Sequence, residues 1–176
     1  MKKITLLLFL ILFTSCATNL REKPKQNISL DNQLNSLKYK LVLPENWRPY
    51  KDLHDEISYK PKKYPGKYPS VEIHICPVPQ SNQNPLILDE LVDKQSPNIK
   101  FLNDYSRTKK ELTSRFGKTY IIDEAFNLNN QNYLTRSVYF EYKTEIYRFS
   151  YSSIPTLFNR YLGDLESIFK NLVFKE

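Results

Sequence analysis

Glycine is scarce in this chain of 176 residues: it occurs three times, at positions 66, 117 and 163, and no two glycines are adjacent. A loop that cradles a phosphate group needs clustered glycines, because its backbone N–H groups must approach the anion closely. The sequence therefore excludes the common nucleotide-binding loops.

Histidine is scarcer still, with only His54 and His74. A serine or cysteine nucleophile normally needs a neighbouring base, most often histidine, and an acid that orients it. His74 and Cys76 lie two residues apart in a predicted strand, so together with His54 they could form a metal site or a thiol–imidazole pair. Every second residue of a strand shares a face by default, so we favour a packed or half-exposed pair without chemistry. We predict no catalytic residue, no metal ligand and no cofactor.

The N-terminus lacks a hydrophobic run long enough to cross a membrane. Residues 4–13 are apolar apart from one threonine, and as a helix they would cover about 15 Å, half of the roughly 30 Å hydrocarbon core. Two lysines precede this run, and Thr14 and Ser15 follow it, which is the pattern of a secretory signal with a small-residue cleavage site. With Cys16 next, the stretch LFTSC resembles the lipobox of bacterial lipoproteins.

This resemblance implies that residues 1–15 are a signal peptide and that the thiol of Cys16, the first mature residue, is joined to diacylglycerol. The alternative is cleavage elsewhere, with Cys16 as a bystander. Ala17 stands where an aspartate would favour the inner membrane of enteric bacteria, so by analogy we expect an outer-membrane anchor facing the periplasm. Cys76 is then left without an intrachain partner, and burial is its expected state.

Neither sign of charge is concentrated in the mature chain. Removal of residues 1–15 takes away two lysines and lowers the net charge from +7 to +5, with acidic residues interspersed. A nucleic-acid-binding protein would show a dense Lys/Arg tract, and none is present. The expected partners are therefore the membrane, through the lipid on Cys16, and an envelope protein or an anionic polymer, but no nucleic acid.

One stretch, YKPKKYPGKYPS, interleaves lysines and tyrosines with three prolines. Tyrosine supplies flat contact area, lysine attracts anions, and proline lowers the entropy lost when the loop becomes ordered. This composition would suit a partner-binding loop, but the interpretation we favour is a solvated hairpin loop whose tyrosines fold back on the sheet. The candidate binding residues are Lys60, Lys62, Lys63, Tyr64, Lys67 and Tyr68.

Alternation and helical spacing divide the mature chain into two parts. Residues 16–36, the lipidated cysteine and a polar segment, are predicted to be a flexible tether. Residues 37–176 contain strand patterns separated by turn residues, a mid-chain helix LILDELVDKQ and a last helix with an apolar stripe. Since that stripe needs a sheet face to cover, we predict an α+β fold with a central antiparallel sheet flanked by helices.

The order of these features resembles that of the PsbP-like family across residues 37–176. The features are a first strand running into LPENW, short paired strands, the mid-chain helix, an aromatic hairpin YFEYKTEIYRFSYSS and a last helix ending in FKNLVF. The resemblance implies an α/β/α sandwich. It supplies no catalytic residue, and a photosynthetic role does not follow from it.

Together these patterns predict a membrane-anchored, non-catalytic accessory or binding domain of the cell envelope. The competing hypothesis is a metal- or thiol-dependent enzyme centred on His54, His74 and Cys76. A third is a protective lipoprotein that neutralises a toxin or a hydrolase through its contact surface.

Overall fold

Three tight turns organise the second half of the chain. The computed structural model describes residues 29–51, 56–64, 70–76, 87–94 and 103–176. At the three turns the backbone is left-handed: φ is +81° at Gly117, 54° and 62° at Asn129 and Asn130, and 57° at Lys143. Glycine and asparagine adopt these left-handed conformations at the lowest cost. The turns join four antiparallel strands into consecutive hairpins, as the sequence predicts: β5 (Asn103–Ser114), β6 (Gly117–Leu128), β7 (Gln131–Tyr142) and β8 (Glu145–Ser153).

The first half of the chain extends the same sheet. Its strands are β1 (Tyr39–Lys40), β2 (Trp47–Lys51), β3 (Ile57–Pro61) and β4 (Ser70–Cys76). The main sheet has the order β2-β3-β4-β8-β7-β6-β5, and every pair in it is antiparallel. β1 instead pairs with β9 (Val173–Phe174) in a separate two-stranded sheet.

Helices cover both faces of the main sheet. α3 (Pro155–Lys170) packs on a core that includes Val138 and Phe140, whereas α2 (Leu88–Lys94) packs on a core that includes Tyr139. Consecutive residues of β7 thus point to opposite faces, as strand geometry requires. The predicted α+β architecture, an antiparallel sheet between helices, is confirmed.

The folded part begins earlier than the sequence predicts. Residues 30–36 lie inside the predicted tether but form a short helix, α1 (Leu30–Ser36), and the side chain of Ser29 accepts a hydrogen bond from the amide of Asn32 at its start. No residue of α1 is fully buried. The helix is too short for its pattern to be recognised in a polar sequence. It is stabilised by the C-terminal segment, because the ammonium of Lys175 donates to the carbonyls of Leu34 and Asn35.

Strand β1 is shorter than the alternation of leucines around Tyr39 predicts. It is limited to two residues because its partner β9 has only two. Leu37, Leu41 and Leu43 lie outside the strand, and they pack half-buried against the main core. The alternation therefore identifies core-facing residues correctly but overestimates the length of the strand.

Candidate functional site

The predicted binding loop is divided by the end of β3. Lys60 lies within the strand, with 1 % of its surface exposed and its ammonium 3.3 Å from the centre of the Tyr50 ring. Burial, followed by the charge of Arg48, lowers its pKa. The assignment of Lys60 to an exposed docking loop is corrected, because strand alternation directs it onto the sheet face beside Tyr50.

The residues after β3 have different surroundings. Lys62 and Lys63 are exposed in a turn. Tyr64 is half-buried against α3: its ring makes an edge contact with Tyr161 at 5.9 Å, and Arg160 donates to its hydroxyl at 3.0 Å. Tyr64 therefore folds back on the domain, and Lys67 and Tyr68 lie outside the described residues.

The proposed histidine and cysteine centre is described only in part. The register of β4 with β8 places His74 opposite Arg148 and Cys76 opposite Ile146. His54 lies outside the described residues. Within the ranges that the structure describes, no cluster of three metal-ligating side chains occurs.

Two carboxylates of the helix and sheet surface, Asp89 and Asp123, are paired with basic side chains. Asp89 accepts from Lys118 at 2.6 Å and from the Tyr120 hydroxyl at 3.0 Å. The Lys118 hydrogen bond is the main cause that lowers the pKa of Asp89. Asp123 binds the guanidinium of Arg136 through both oxygens, at 2.7 and 2.9 Å. Such pairs account for these acids as structural groups of the sheet and helix surface.

A cleft beside α1 is the strongest candidate site in the described part of the chain. It has a volume of about 360 Å³, which lies in the range of small-molecule pockets. Its walls come from α1, from the segment around β1 and from the neighbouring strands β2 and β3. The lining residues are Leu34, Asn35, Leu37, Tyr39, Lys40, Leu41, Leu43, Pro49, Tyr59 and Lys175.

Two buried tyrosines contribute hydroxyl groups to the wall of the cleft. Tyr39 and Tyr59 are 6 % and 4 % exposed, and their hydroxyl groups are hydrogen-bonded to each other. Burial raises both pKa values, that of Tyr59 to about 12. Both phenols are therefore neutral at physiological pH, and the cationic side chains in the lining are those of Lys40 and Lys175.

Polar contacts fix the segment that forms one wall of this cleft. The backbone amide of Lys175 donates to the carbonyl of Lys38 at 2.8 Å, directly before β1. The ammonium of Lys38 in turn donates to Glu145 at 2.5 Å, and Glu145 also accepts from the Tyr147 hydroxyl at 2.6 Å. The chain before β1 is thus tied both to the C-terminus and to the β7–β8 hairpin.

The interaction of Glu145 with Lys38 predicts that the stability of the fold depends on pH. Lys38 first, then Tyr147, lowers the pKa of Glu145 below its ordinary value of 4.5. Because the folded pKa is the lower one, the interaction stabilises the fold above that ordinary value and is lost as the pH falls through the folded pKa. Lys38 is 60 % exposed, so the contribution is about 1 kcal/mol or less.

Urea unfolding at neutral and acidic pH measures the effect. The wild-type protein is expected to lose more unfolding free energy on acidification than the Glu145→Gln variant. Glu141→Gln, an exposed position on the same hairpin, serves as the control and should behave like the wild type. Equal acid sensitivity of wild type and Glu145→Gln would contradict the prediction.

The sequence predicts the apolar residues that line one wall of the cleft, but it does not predict that a cleft forms there. Alternating leucines around Tyr39 predict a half-buried surface, and this surface is the apolar wall. Tyr59 and Pro49 join it only through the pairing of β2 with β3, which sets them opposite each other. Such pairing is a tertiary property, so no local signal identifies the site.

Several solved structures are similar to this chain. LpqN of Mycobacterium tuberculosis, described as involved in cell envelope biogenesis, is 7 % identical, with a TM-score of 0.52 over 86 % of this chain and 99 % of its own. CyanoP, the PsbP of Synechocystis sp. PCC 6803, is 9 % identical, with a TM-score of 0.49 over 78 % of this chain and 87 % of its own. A Pseudomonas aeruginosa protein of unknown function is 14 % identical, with a TM-score of 0.47 over 74 % and 99 % of the two chains.

No family model matches the chain, and no curated protein matches it. At 7 % identity, the similarity to LpqN is a similarity of fold. In the part of the chain that the structure describes, no helix has the length and apolar character needed to span a bilayer.

Proposed function

We propose that the mature protein is a lipid-anchored, non-catalytic binding domain of the bacterial cell envelope, attached to the outer membrane through Cys16. The observation that carries the proposal is the N-terminal pattern: a short basic segment, ten largely apolar residues and small polar residues directly before the cysteine. LpqN supports an envelope role, because a protein with the same fold is described as acting in envelope biogenesis.

The arrangement of the domain supports binding rather than turnover. The cleft is lined by leucines, two neutral tyrosines and two lysines, with no acidic side chain among the described residues, and the acidic groups described above are held in pairs with basic side chains. Exposed Lys62 and Lys63, together with Arg160 beside Tyr64, offer a basic surface to an envelope protein or an anionic polymer. The domain therefore acts by holding a ligand or a partner near the membrane.

Metabolic labelling with a clickable fatty acid tests the anchor. The wild-type protein should become labelled and remain with the membrane fraction, whereas Cys16→Ala should lose both properties, because stable anchoring needs the acyl chains. Cys76→Ala is the matched control, since it removes the other cysteine of the chain and should leave labelling unchanged.

Density-gradient separation of the two membranes then tests the outer-membrane assignment. Labelled, membrane-bound Cys16→Ala protein would overturn the anchor, and label in the inner-membrane fraction would overturn the placement.

A further inference from the structure

The cleft lies where the tether joins the folded domain. Leu34 and Asn35 of α1 are part of its lining, and α1 begins one residue after Ser29, the first described residue. Between Cys16 and Ser29 the sequence has a dozen residues, which span at most about 45 Å when extended. A lipid anchor on Cys16 therefore allows this edge of the domain to reach the membrane surface.

The apolar walls of the cleft are suited to the acyl chain of a membrane lipid. Four leucines and a proline form its apolar walls. A volume of about 360 Å³ holds on the order of ten methylene groups, if each is taken as about the size of a water molecule, roughly 30 Å³. An acyl chain needs apolar contact along its length and no specific hydrogen bonds, which is what these walls provide.

The rim of the cleft is suited to the anionic headgroup of such a lipid. Its lining includes two lysines, Lys40 and Lys175, and no acidic side chain among the described residues. Lys40 is exposed, and the charge of Lys175 lies at the end of α1, where its ammonium contacts two carbonyls. Lysines close to a bilayer attract anionic headgroups.

The loop after β1 carries an exposed apolar side chain beside the cleft. Val42 has 53 % of its surface exposed, and it stands between Leu41 and Leu43, which line the cleft. A single exposed valine is common on any protein surface. Here it stands two residues after Lys40, so one short segment combines an apolar tip, a cation and residues that line the cleft.

We propose that the cleft binds one acyl chain of an anionic phospholipid from the membrane to which the protein is anchored, with Lys40 beside the headgroup. This inference rests on the proposed function for the source of the lipid. It adds a second, non-covalent membrane contact, which orients the domain with α1 towards the bilayer and leaves the opposite β5 edge available to other partners.

Vesicle binding by protein without its own lipid tests this site separately from the anchor. The mature chain with Cys16→Ser is mixed with vesicles of phosphatidylcholine alone or of equimolar phosphatidylcholine and phosphatidylglycerol. Binding is measured by co-sedimentation. We expect at least tenfold tighter binding to the anionic vesicles, and equal binding to both kinds would overturn the proposal.

Bromine on the acyl chains distinguishes entry into the cleft from adsorption to the surface. Trp47 is the single tryptophan of the chain, and it lies two residues before Pro49 on β2, about 7 Å along the strand. Brominated phosphatidylglycerol should therefore quench its fluorescence. Binding without quenching would mean surface adsorption only, and would overturn the proposal.

Charge reversal assigns the headgroup contact. Lys40→Glu should weaken binding to anionic vesicles roughly tenfold. Lys110→Glu, an exposed position on β5 with the same change in net charge, should alter it by less than about twofold. Circular dichroism confirms that both variants are folded. Equal losses for the two variants would indicate attraction by net charge and would exclude a site at the cleft.

Discussion

Replacing Phe140 with alanine is expected to lower the free energy of unfolding by about 3–5 kcal/mol, the range for deleting a large buried aromatic side chain. Phe140 has no exposed surface and lies at the centre of an aromatic cluster. Its ring stacks on Phe116 at 4.4 Å and lies parallel to that of Tyr147 at 5.8 Å. It also makes edge contacts with Phe169 of α3 and Phe174 of β9.

The expected loss is large because this cluster joins elements that are distant in sequence. Phe116 comes from the β5–β6 turn, Phe169 from α3 and Phe174 from β9. Arg115, next to Phe116, donates to the carbonyls of Phe169 and Leu172 at the end of α3. A cavity at position 140 would therefore loosen the helix and the two-stranded sheet together.

Urea unfolding followed by circular dichroism measures this loss, with Phe126→Ala as the matched control. Phe126 is half-buried and stacks on Tyr133 near the β6–β7 turn, so its truncation should cost about 1 kcal/mol. Similar losses for the two variants would show that the cluster around Phe140 does not organise the core.

Local patterns in the sequence predict most of the second half of the fold. Gly117 and the pair Asn129 and Asn130 supply backbone conformations that tight turns require, and alternation on either side gives the strands. The apolar stripe of α3 also follows from spacing alone, with Phe158, Leu165 and Ile168 buried. These features depend on residues close together in the chain, which is why a sequence reveals them.

Features that depend on distant pairing are not predictable in this way. Helix α1 is held by Lys175, which is more than a hundred residues away. Lys60 reads as a loop residue until the pairing of β3 with β2 places it opposite Arg48. The cleft combines both effects, because its walls come from the two ends of the folded domain and from one sheet edge.

Replacing Trp47 with alanine is expected to lower the free energy of unfolding by about 3–5 kcal/mol, again because a large buried aromatic side chain is deleted. Trp47 is 3 % exposed at the start of edge strand β2. Its indole N–H donates to the carboxylate of Asp164 at 2.7 Å, and its ring meets Tyr161 edge-on at 5.8 Å. Both partners belong to α3, so this one side chain fastens the edge of the sheet to the helix.

A double-mutant cycle separates the hydrogen bond from the packing. Trp47→Phe keeps most of the ring and loses the N–H, so it should cost about 1.5–3 kcal/mol, the range for a hydrogen bond to a charged group. Asp164→Ala removes the acceptor, and the double variant should then lose clearly less than the sum of the two single losses. Strict additivity in urea unfolding would contradict an energetic coupling between Trp47 and Asp164.

The same cycle connects stability to the proposed lipid site. Pro49, two residues after Trp47 on β2, lines the cleft, so loosening β2 from α3 should also disturb the apolar wall. Trp47→Phe removes the fluorescent reporter, and its effect on anionic vesicles is therefore followed by co-sedimentation. Weaker binding by both Trp47→Phe and Asp164→Ala would place the lipid at this edge of the sheet, since neither change alters the cleft-lining residues. If the destabilised variants bind as the wild type does, the lipid site does not depend on the contact between β2 and α3.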